Sequence, residues 1–429
     1  MNFSGIKKIL VIKLRHIGDV LLSVPVFRAL RENFPDAHIA ALVNSGTEEV
    51  LDSSPFINEI IAFDRSIKKI NSLQKYIKEI SLLNMVRRKG FDMTVDLTGG
   101  DRAAITSFVS GASYRLAHDT RGGFGGKKYL YTHLAARNDN QHTALQNLDV
   151  VRQFGIKSDN LSVDISIPES ARIFAKNIVS HNRTDNVAPV VHVHPTSRWL
   201  FKCWKDEYMA EVISWLTDRG IIVIVTSAPD KREMEKAKKI LSMVRTLGDS
   251  PRFTGEAVES GLSPRLICGG VVDLCGKTNI KQLAAISEVS DLFFGVDSAP
   301  THIAAAVGTP VVALFGPSGA FHWGPWDNES SKLSIKSLEF KTPRGDSPRF
   351  TDGAKQSRRI GTVPVGQTEE TPYPKRNGIQ TFGIHTVIQQ DWKCVPCGKD
   401  GCDGSKISRC LEEIKTEEVI NILKGKLNI

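Results

Sequence analysis

The amino-acid sequence predicts an α/β protein made of two parallel-sheet halves in tandem. Three observations predict it: short apolar runs alternate with stretches of helical period, that alternation lapses and restarts mid-chain, and 429 residues exceed one ordinary core. In the first half, KKILVIKL is a strand leading into a helix from about Val20 to Asn33. AHIAALV precedes GTEEVLDSS, INEIIAFD precedes SLQKYIKEISLLNMVRRKG, and FDMTVDLTGG supplies a further strand. The pattern turns polar through SIPESARIFAKNIVSHNRTDNVAP, which places the boundary at about residue 187, with domains 1–187 and 188–429. The alternation resumes with VVHVHPTS, KDEYMAEVISWLTDRG, IIVIVTSAP, REMEKAKKILSMV, VVDLCG, IKQLAAISEVS, DLFFGVDS, APTHIAAAVG and PVVALFGP. Loops at the carboxyl ends of both sheets are expected to converge on a cleft that holds ligand.

Hydrophobic residues at 41% and charged residues at 24% describe a soluble globular chain. An excess of 56 Lys and Arg over 47 Asp and Glu gives +9, which suits an acidic partner. Interleaved aromatic and basic stacking motifs are lacking and aromatics amount to 7%, so no nucleic-acid partner is expected. No apolar run reaches the roughly 18 residues of a spanning helix. Charges interrupt the apolar N-terminal stretch, and seven dispersed cysteines fit a reducing cytoplasm.

Two stretches break the rhythm. The heptapeptide GDSPRFT occurs at 248–254 and again at 345–351, each time opening a segment rich in Gly, Ser, Pro, Arg and Thr. Such composition cannot bury a core, so 248–266 and 343–381 are expected to be flexible insertions.

After the first strand there is no Gly-rich dinucleotide fingerprint, only Gly18, and CGKT at 275–278 lacks the first glycine of a phosphate loop. In their place stands a loop carrying Lys13, Arg15, Gly18 and Asp19. At a helix start Asp19 has an ordinary job, accepting first-turn N–H groups and opposing the helix dipole. Its functional alternative is a general base at the carboxyl edge of the strand, taking a proton from an acceptor hydroxyl. The loop HPTSRWLFKCW offers Thr196, Ser197, Arg198 and Lys202, hydroxyls and cations suited to a diphosphate, or simply solvated. His192 and His194 alternate with valine, but without a third ligand they read as structural histidines, and no metal is assigned to them. In GVDSAPTHIAAAVG, Asp297 and Ser298 turn from strand to helix, Pro300 falls in the first turn and Gly308 closes it. Free N–H groups at that helix start can receive a pyrophosphate, and Asp297 can accept from sugar hydroxyls. Capping explains the same residues without a ligand, and His302 could simply pack on the helix. The next strand ends in Gly316-Pro317-Ser318, another loop on the same edge.

KLRHIGDVLLSVP, the HPTS…K.W loop and GVDSAPTHIAAAVGTPVVALFGP resemble the three signature regions of the ADP-heptose:lipopolysaccharide heptosyltransferases, glycosyltransferase family 9. The resemblance spans nearly the whole chain outside the two insertions. HPTSRWLFKCW, DSAP and CVPCGKDGC look most like the heptosyltransferase III branch, which adds the side-branch heptose to the inner core. It implies a GT-B architecture, two Rossmann-like domains facing each other across a cleft, the first binding acceptor and the second the nucleotide sugar. It also implies metal-independent, inverting transfer from ADP-heptose, with no cofactor required. By that similarity Asp19 matches the catalytic base and Lys202 offsets charge on the departing ADP. Thr196, Ser197 and Lys202 match donor-phosphate positions; Asp297, Ser298, Ala299 and His302 match the segment holding heptose and pyrophosphate, with Gly316 on the neighbouring loop. Acceptor contacts are expected from Lys13, Arg15, Gly18 and Arg102, the last toward a phosphate of the lipid A-linked inner-core oligosaccharide. Ala299 stands where many members have glycine, and one extra residue lies between Arg198 and Lys202 relative to shorter-loop branches.

Cys394, Cys397, Cys402 and Cys410 are close enough in sequence to enclose a structural tetrahedral zinc, the alternative being reduced or paired thiols. The final helix KTEEVINILKGKL could cross back to the first domain, and its basic end suits an anionic bilayer surface. A lipid-linked acceptor implies peripheral association with the inner face of the cytoplasmic membrane. The rival readings are transfer at the first or second heptose, another nucleotide sugar, or a noncatalytic sugar-nucleotide-binding protein.

Overall fold

The computed structural model describes residues 3–64, 72–119, 122–182, 188–244, 270–330 and 372–429. The expected boundary at 187, both GDSPRFT segments and insertion 248–266 lie outside the described residues.

Two sheets form. The first orders its strands β3-β2-β1-β4-β5-β6, all parallel: β1 Lys8–Lys13, β2 His38–Asn44, β3 Glu59–Phe63, β4 Met93–Asp96, β5 Tyr114–His118 and β6 His133–Ala135. The second orders β12-β13-β11-β10-β7-β8-β9, from β7 Val190–His194, β8 Ile222–Ser227, β9 Val271–Cys275, β10 Leu292–Val296, β11 Val311–Phe315, β12 Gln380–Phe382 and β13 His385–Gln389. Among the described strands only β12 is antiparallel. Each sheet starts at its centre, winds to one edge, then returns to wind to the other, so the reversal of direction opens a crevice beside β1 and beside β7.

Central strands are apolar throughout because helices cover both faces. Ile9 and Val11 point into one cluster, whose helices are α2 (Val24–Asn33) and α5 (Thr143–Arg152). Leu10 and Ile12 point into the other, against α3 (Ser72–Lys89) and α4 (Asp101–Val109). In the second domain, Val191 and Val193 meet α7 (Asp206–Thr217) and α8 (Lys231–Met243), while the opposite face takes α6 (Glu169–Asn182), α9 (Ile280–Glu288) and α10 (Ala299–Ala306). The first cluster continues from the first sheet into Val190, Ile222 and Ile224 of the second, so the two domains share buried apolar surface.

Four expectations change. The helix expected from Val20 to Asn33 is two, α1 (Ile17–Leu21) and α2, because Pro25 lacks an N–H and its ring would collide with the carbonyl one turn back. GTEEVLDSS shrinks to a single 3₁₀ turn, Glu48–Val50. The flexible insertion was expected to reach 381, yet Tyr373 is fully buried with its hydroxyl donating to Pro325 O at 2.8 Å, and strand β12 begins at Gln380. The final helix, Thr416–Leu427, does not cross to the first domain. Its Val419 and Leu423 pack with Met209 and Ile213 of α7. The crossing is made by a strap, where Trp326 Nε1 donates to Leu161 O at 3.1 Å and Asn328 exchanges hydrogen bonds of 2.9 and 3.0 Å with Val163. Among the described residues, no helix is long and apolar enough to cross a membrane.

Candidate active site at the interdomain cleft

Helix α1 opens three residues past β1, and its third residue, Asp19, accepts the His16 N–H at 3.4 Å through Oδ2. The capping role is therefore real. The same short helix also touches α10 of the other domain. Gly18 is pressed on His302 so closely that a Cβ there would stand 2.8 Å from His302 Cδ2. Glycine at 18 thus brings the carboxylate-bearing turn to α10 of the other domain.

His302 is the centre of the arrangement. Burial lowers its pKa below the ordinary histidine range, Asp297 and Asp19 draw it back up, and Lys202 opposes them. Both Asp19 and Asp297 therefore lie near enough to this ring to act on its charge. The His302 Nδ1 is buried without a hydrogen-bond partner among the described residues.

Lys202 Nζ donates to Asp297 Oδ2 at 2.6 Å in a half-buried ion pair, joining the loop after β7 to the turn after β10. Ser298 takes the N-cap position of α10 but donates its hydroxyl to Val296 O at 3.1 Å instead of capping, which leaves this helix start open to an anion. Ala299 is its first, half-buried residue. Thr196 and Ser197 are buried, and Thr196 Oγ1 donates to Glu233 Oε2 at 2.9 Å. Arg198 Nη1 reaches His16 Nδ1 at 3.2 Å, a second bridge across the cleft beside Asp19.

Asp19, Gly18, Lys202, Asp297 and His302 are thus brought together, with Thr196, Ser197, Ser298 and Ala299 on the adjoining loop and helix start. Others go elsewhere. Lys13, expected to meet acceptor, is turned inward, donating to Leu97 O at 3.0 Å and Asn147 Oδ1 at 2.8 Å, and burial lowers its pKa to about 8. Arg102, expected to meet a phosphate, is committed to Glu79 through three N–H···O contacts and lies over the Phe63 ring. Gly316 lies against Leu411, where a Cβ would stand 2.6 Å from Cδ1, so packing explains that glycine. Arg15 is exposed at the cleft rim, donating to Thr98 O at 2.9 Å.

Sequence reading missed Glu233 and His16. Asp230 followed by Glu233 has the spacing of a helix cap, and Asp230 does cap α8; Glu233 is instead buried against Thr196, its pKa raised by burial and lowered by that hydroxyl. His192 and His194 are structural: His192 bonds Ser287 and Thr226, and His194 bonds Thr226.

Cys394 and Cys397 are exposed, Cys402 half-buried and Cys410 buried. Burial, then the neighbouring thiols Cys402, Cys397 and Cys394, push the Cys410 thiol up to about 11. The four are neighbours and are free thiols, and among the described residues no three His, Cys, Asp or Glu side chains form a group that could hold a metal.

A family model described as glycosyltransferase family 9 (heptosyltransferase) matches residues 80–344. A lipopolysaccharide heptosyltransferase 3 from Escherichia coli is 30% identical over 318 residues, covering 73% of this chain and 85% of that protein. Among solved structures, the Escherichia coli ADP-heptose lipopolysaccharide heptosyltransferase II superposes with a TM-score of 0.63 at 17% identity, covering 98% of both chains. An Escherichia coli heptosyltransferase solved with ADP-2-deoxy-2-fluoro heptose gives 0.56 at 18% identity, covering 77% of this chain and 99% of that one.

Proposed function

The chain belongs to glycosyltransferase family 9, the heptosyltransferases, and from that premise we propose that it transfers L-glycero-D-manno-heptose from ADP-heptose to the inner core of lipopolysaccharide, adding branch heptose III to heptose II. The observation that supports the reading is the contact of Gly18 with His302, which brings the turn bearing Asp19 against the helix that follows Asp297, itself paired with Lys202.

The first domain would hold the lipid-linked acceptor and the second the nucleotide sugar. A core hydroxyl would give its proton to Asp19 as its oxygen bonds the anomeric carbon from the face opposite the diphosphate. The carbon–oxygen bond to the diphosphate would break, inverting the centre and releasing ADP. Lys202 and the open start of α10 would stabilise the negative charge on that leaving group without a metal ion. Lys202 is paired with Asp297. A diphosphate would compete for this cation and free Asp297 to accept from sugar hydroxyls. Thr196 and Ser197 line the same loop, and Arg15 stands at the acceptor rim. With its acceptor lipid-linked, the protein would work at the inner face of the cytoplasmic membrane.

The test is incubation with ADP-heptose and lipopolysaccharide lacking only its branch heptose. A mass gain of one heptose, lost in Asp19→Asn, is expected. Transfer that survives in Asp19→Asn would remove the base assignment, and no gain with any truncated core would remove the heptosyltransferase reading.

A further inference from the structure

Exposed large apolar side chains are unevenly spread over this molecule. Of the fourteen among the described residues, seven fall between positions 76 and 129: Tyr76, Ile77, Ile80, Ile105, Phe108, Phe124 and Tyr129. At 3.6 residues per turn Tyr76, Ile77 and Ile80 share one side of α3, opposite the side on which Leu82 and Val86 enter the core. Helix α4 packs beside α3 and presents Ile105 and Phe108 outward, and the loop 122–130 packs on α4 in turn. An apolar surface that wide on one side of a domain marks something it binds.

The charge on this side is mostly positive. Residues 72–89, 101–115 and 122–130 hold nine Lys or Arg against Glu79 and Asp101, although Lys78 and Lys89 are paired with Asp64 and Glu59 beside them and Lys127 is buried. Glu79 is itself neutralised by Arg102. Arg87 and Arg88 are exposed at the end of α3. Arg115 lies over the Phe108 ring at 5.7 Å and Lys128 over the Tyr129 ring at 5.2 Å, so cations and aromatic rings are interleaved. Aromatic rings and aliphatic side chains ringed by cations match the boundary between anionic headgroups and acyl chains. The surface also runs into the active site: Lys127 Nζ donates to Gly99 O at 2.9 Å, and the adjacent Thr98 O accepts from Arg15 at the cleft rim.

We infer that the outer side of α3, α4 and the loop 122–130 docks on an anionic lipid bilayer, so that the cleft rim faces the membrane that holds the acceptor. The orientation rests on the proposed lipid-linked acceptor; the docking itself rests only on the surface. This relocates the membrane contact away from the basic end of the terminal helix, where Lys426 already donates to Ile384 O.

Flotation of the full-length protein with phosphatidylglycerol-containing vesicles, and separately with phosphatidylcholine vesicles, tests it without donor or acceptor. Wild type is expected to float with the anionic vesicles and to be released by salt. A variant carrying Ile77→Ser, Ile80→Ser, Phe108→Ser and Tyr129→Ser should bind at least about tenfold more weakly. A second variant, Arg88→Glu with Lys128→Glu, changes only exposed charges and should lose about tenfold or more at low salt. Both should retain wild-type turnover on a soluble, deacylated core acceptor while losing it on acceptor embedded in vesicles. Absence of wild-type flotation, or wild-type flotation by the charge-reversed pair, would overturn the proposal. So would a wild-type dimer that the four serines dissociate, since the surface would then be an interface between copies. Vesicle binding with no transfer to any acceptor would sink the enzymatic reading alone.

Discussion

Asp19 accepts a backbone N–H as a helix cap does, and from that position it acts electrostatically on His302 in the other domain. Replacing it with asparagine keeps an acceptor for the cap and removes the proposed base. Asp19→Asn should therefore change folding stability by no more than about 1 kcal/mol while turnover falls by roughly 100-fold to 10,000-fold, with ADP affinity nearly unchanged. Calorimetric titration with ADP beside steady-state rates would check it, and a matching loss of ADP affinity would count against it. Gly18→Ala is expected to be as harmful to turnover as a change in the site itself. Its Cβ would sit 2.8 Å from His302 Cδ2, so either the ring or α1 must move, and displacements of that order cost about 100-fold. A fully active Gly18→Ala enzyme would mean that the two domains work farther apart. Lys13 gives a pH test. With its pKa lowered to about 8 by burial, the folded chain loses that proton before the unfolded chain does, so between about pH 8 and 10.5 the unfolded state binds more protons and stability rises with pH. Denaturant unfolding of wild type against Lys13→Met across that window should show wild type gaining up to about 3 kcal/mol relative to the variant.

At the scale of elements, strand–turn–helix junctions set the site and the strap holds the domains in register. α1 can face α10 because Pro25 ends it early, so that α2 takes a different direction to cover the sheet. The open start of α10 depends on Ser298 bonding backward to Val296 O. The strap's Asn328 makes the paired bonds that one residue of a neighbouring strand would make, on both the N–H and the carbonyl of Val163. Asn328→Ala strands both groups and should cost about 1–3 kcal/mol. Because Val163 and Asn328 belong to different domains, the same change should also loosen the cleft. Hydrogen exchange at Val163 would read it, and unchanged protection there would show that the strap is dispensable. Most of these elements were legible from period and punctuation alone. The break at Pro25 could have been read too. The strap and the docking of the terminal helix could not, since both are choices of surface made by side chains far apart in sequence.

Across the whole molecule, burial leaves several histidines neutral. His142 and His194 are held at about 3 and His385 at about 4, and His192 falls well below the ordinary value, in each case chiefly through burial. Their folded pKa values lie below the unfolded one, so stability present above about pH 6.5 is lost as pH falls below it, by about 1.4 kcal/mol per pH unit for each histidine. Asp96 and Glu233, whose carboxyls burial pushes up, pull the other way. Denaturant midpoints should fall from pH 7 to pH 5 with at least about two protons taken up on unfolding. A midpoint independent of pH in that range would contradict the burial of these rings.

The sequence by itself determined the two sheets, the loops at their carboxyl edges and the residue types those loops carry, because strand and helix periods and cap residues are local properties of the chain. It marked Asp19, Lys202, Asp297 and His302 by type and setting. Tertiary structure decided which cations stay available: Lys13 and Arg102 sit beside the same loops, but each is committed to internal partners, while Arg198 reaches across to His16. It also decided that Glu233 bonds Thr196 in the loop after β7 and that Gly316 serves packing. The reason is physical. Whether a charged side chain is buried, paired or free depends on what the rest of the chain brings within about 4 Å of it, and no window of sequence contains that information.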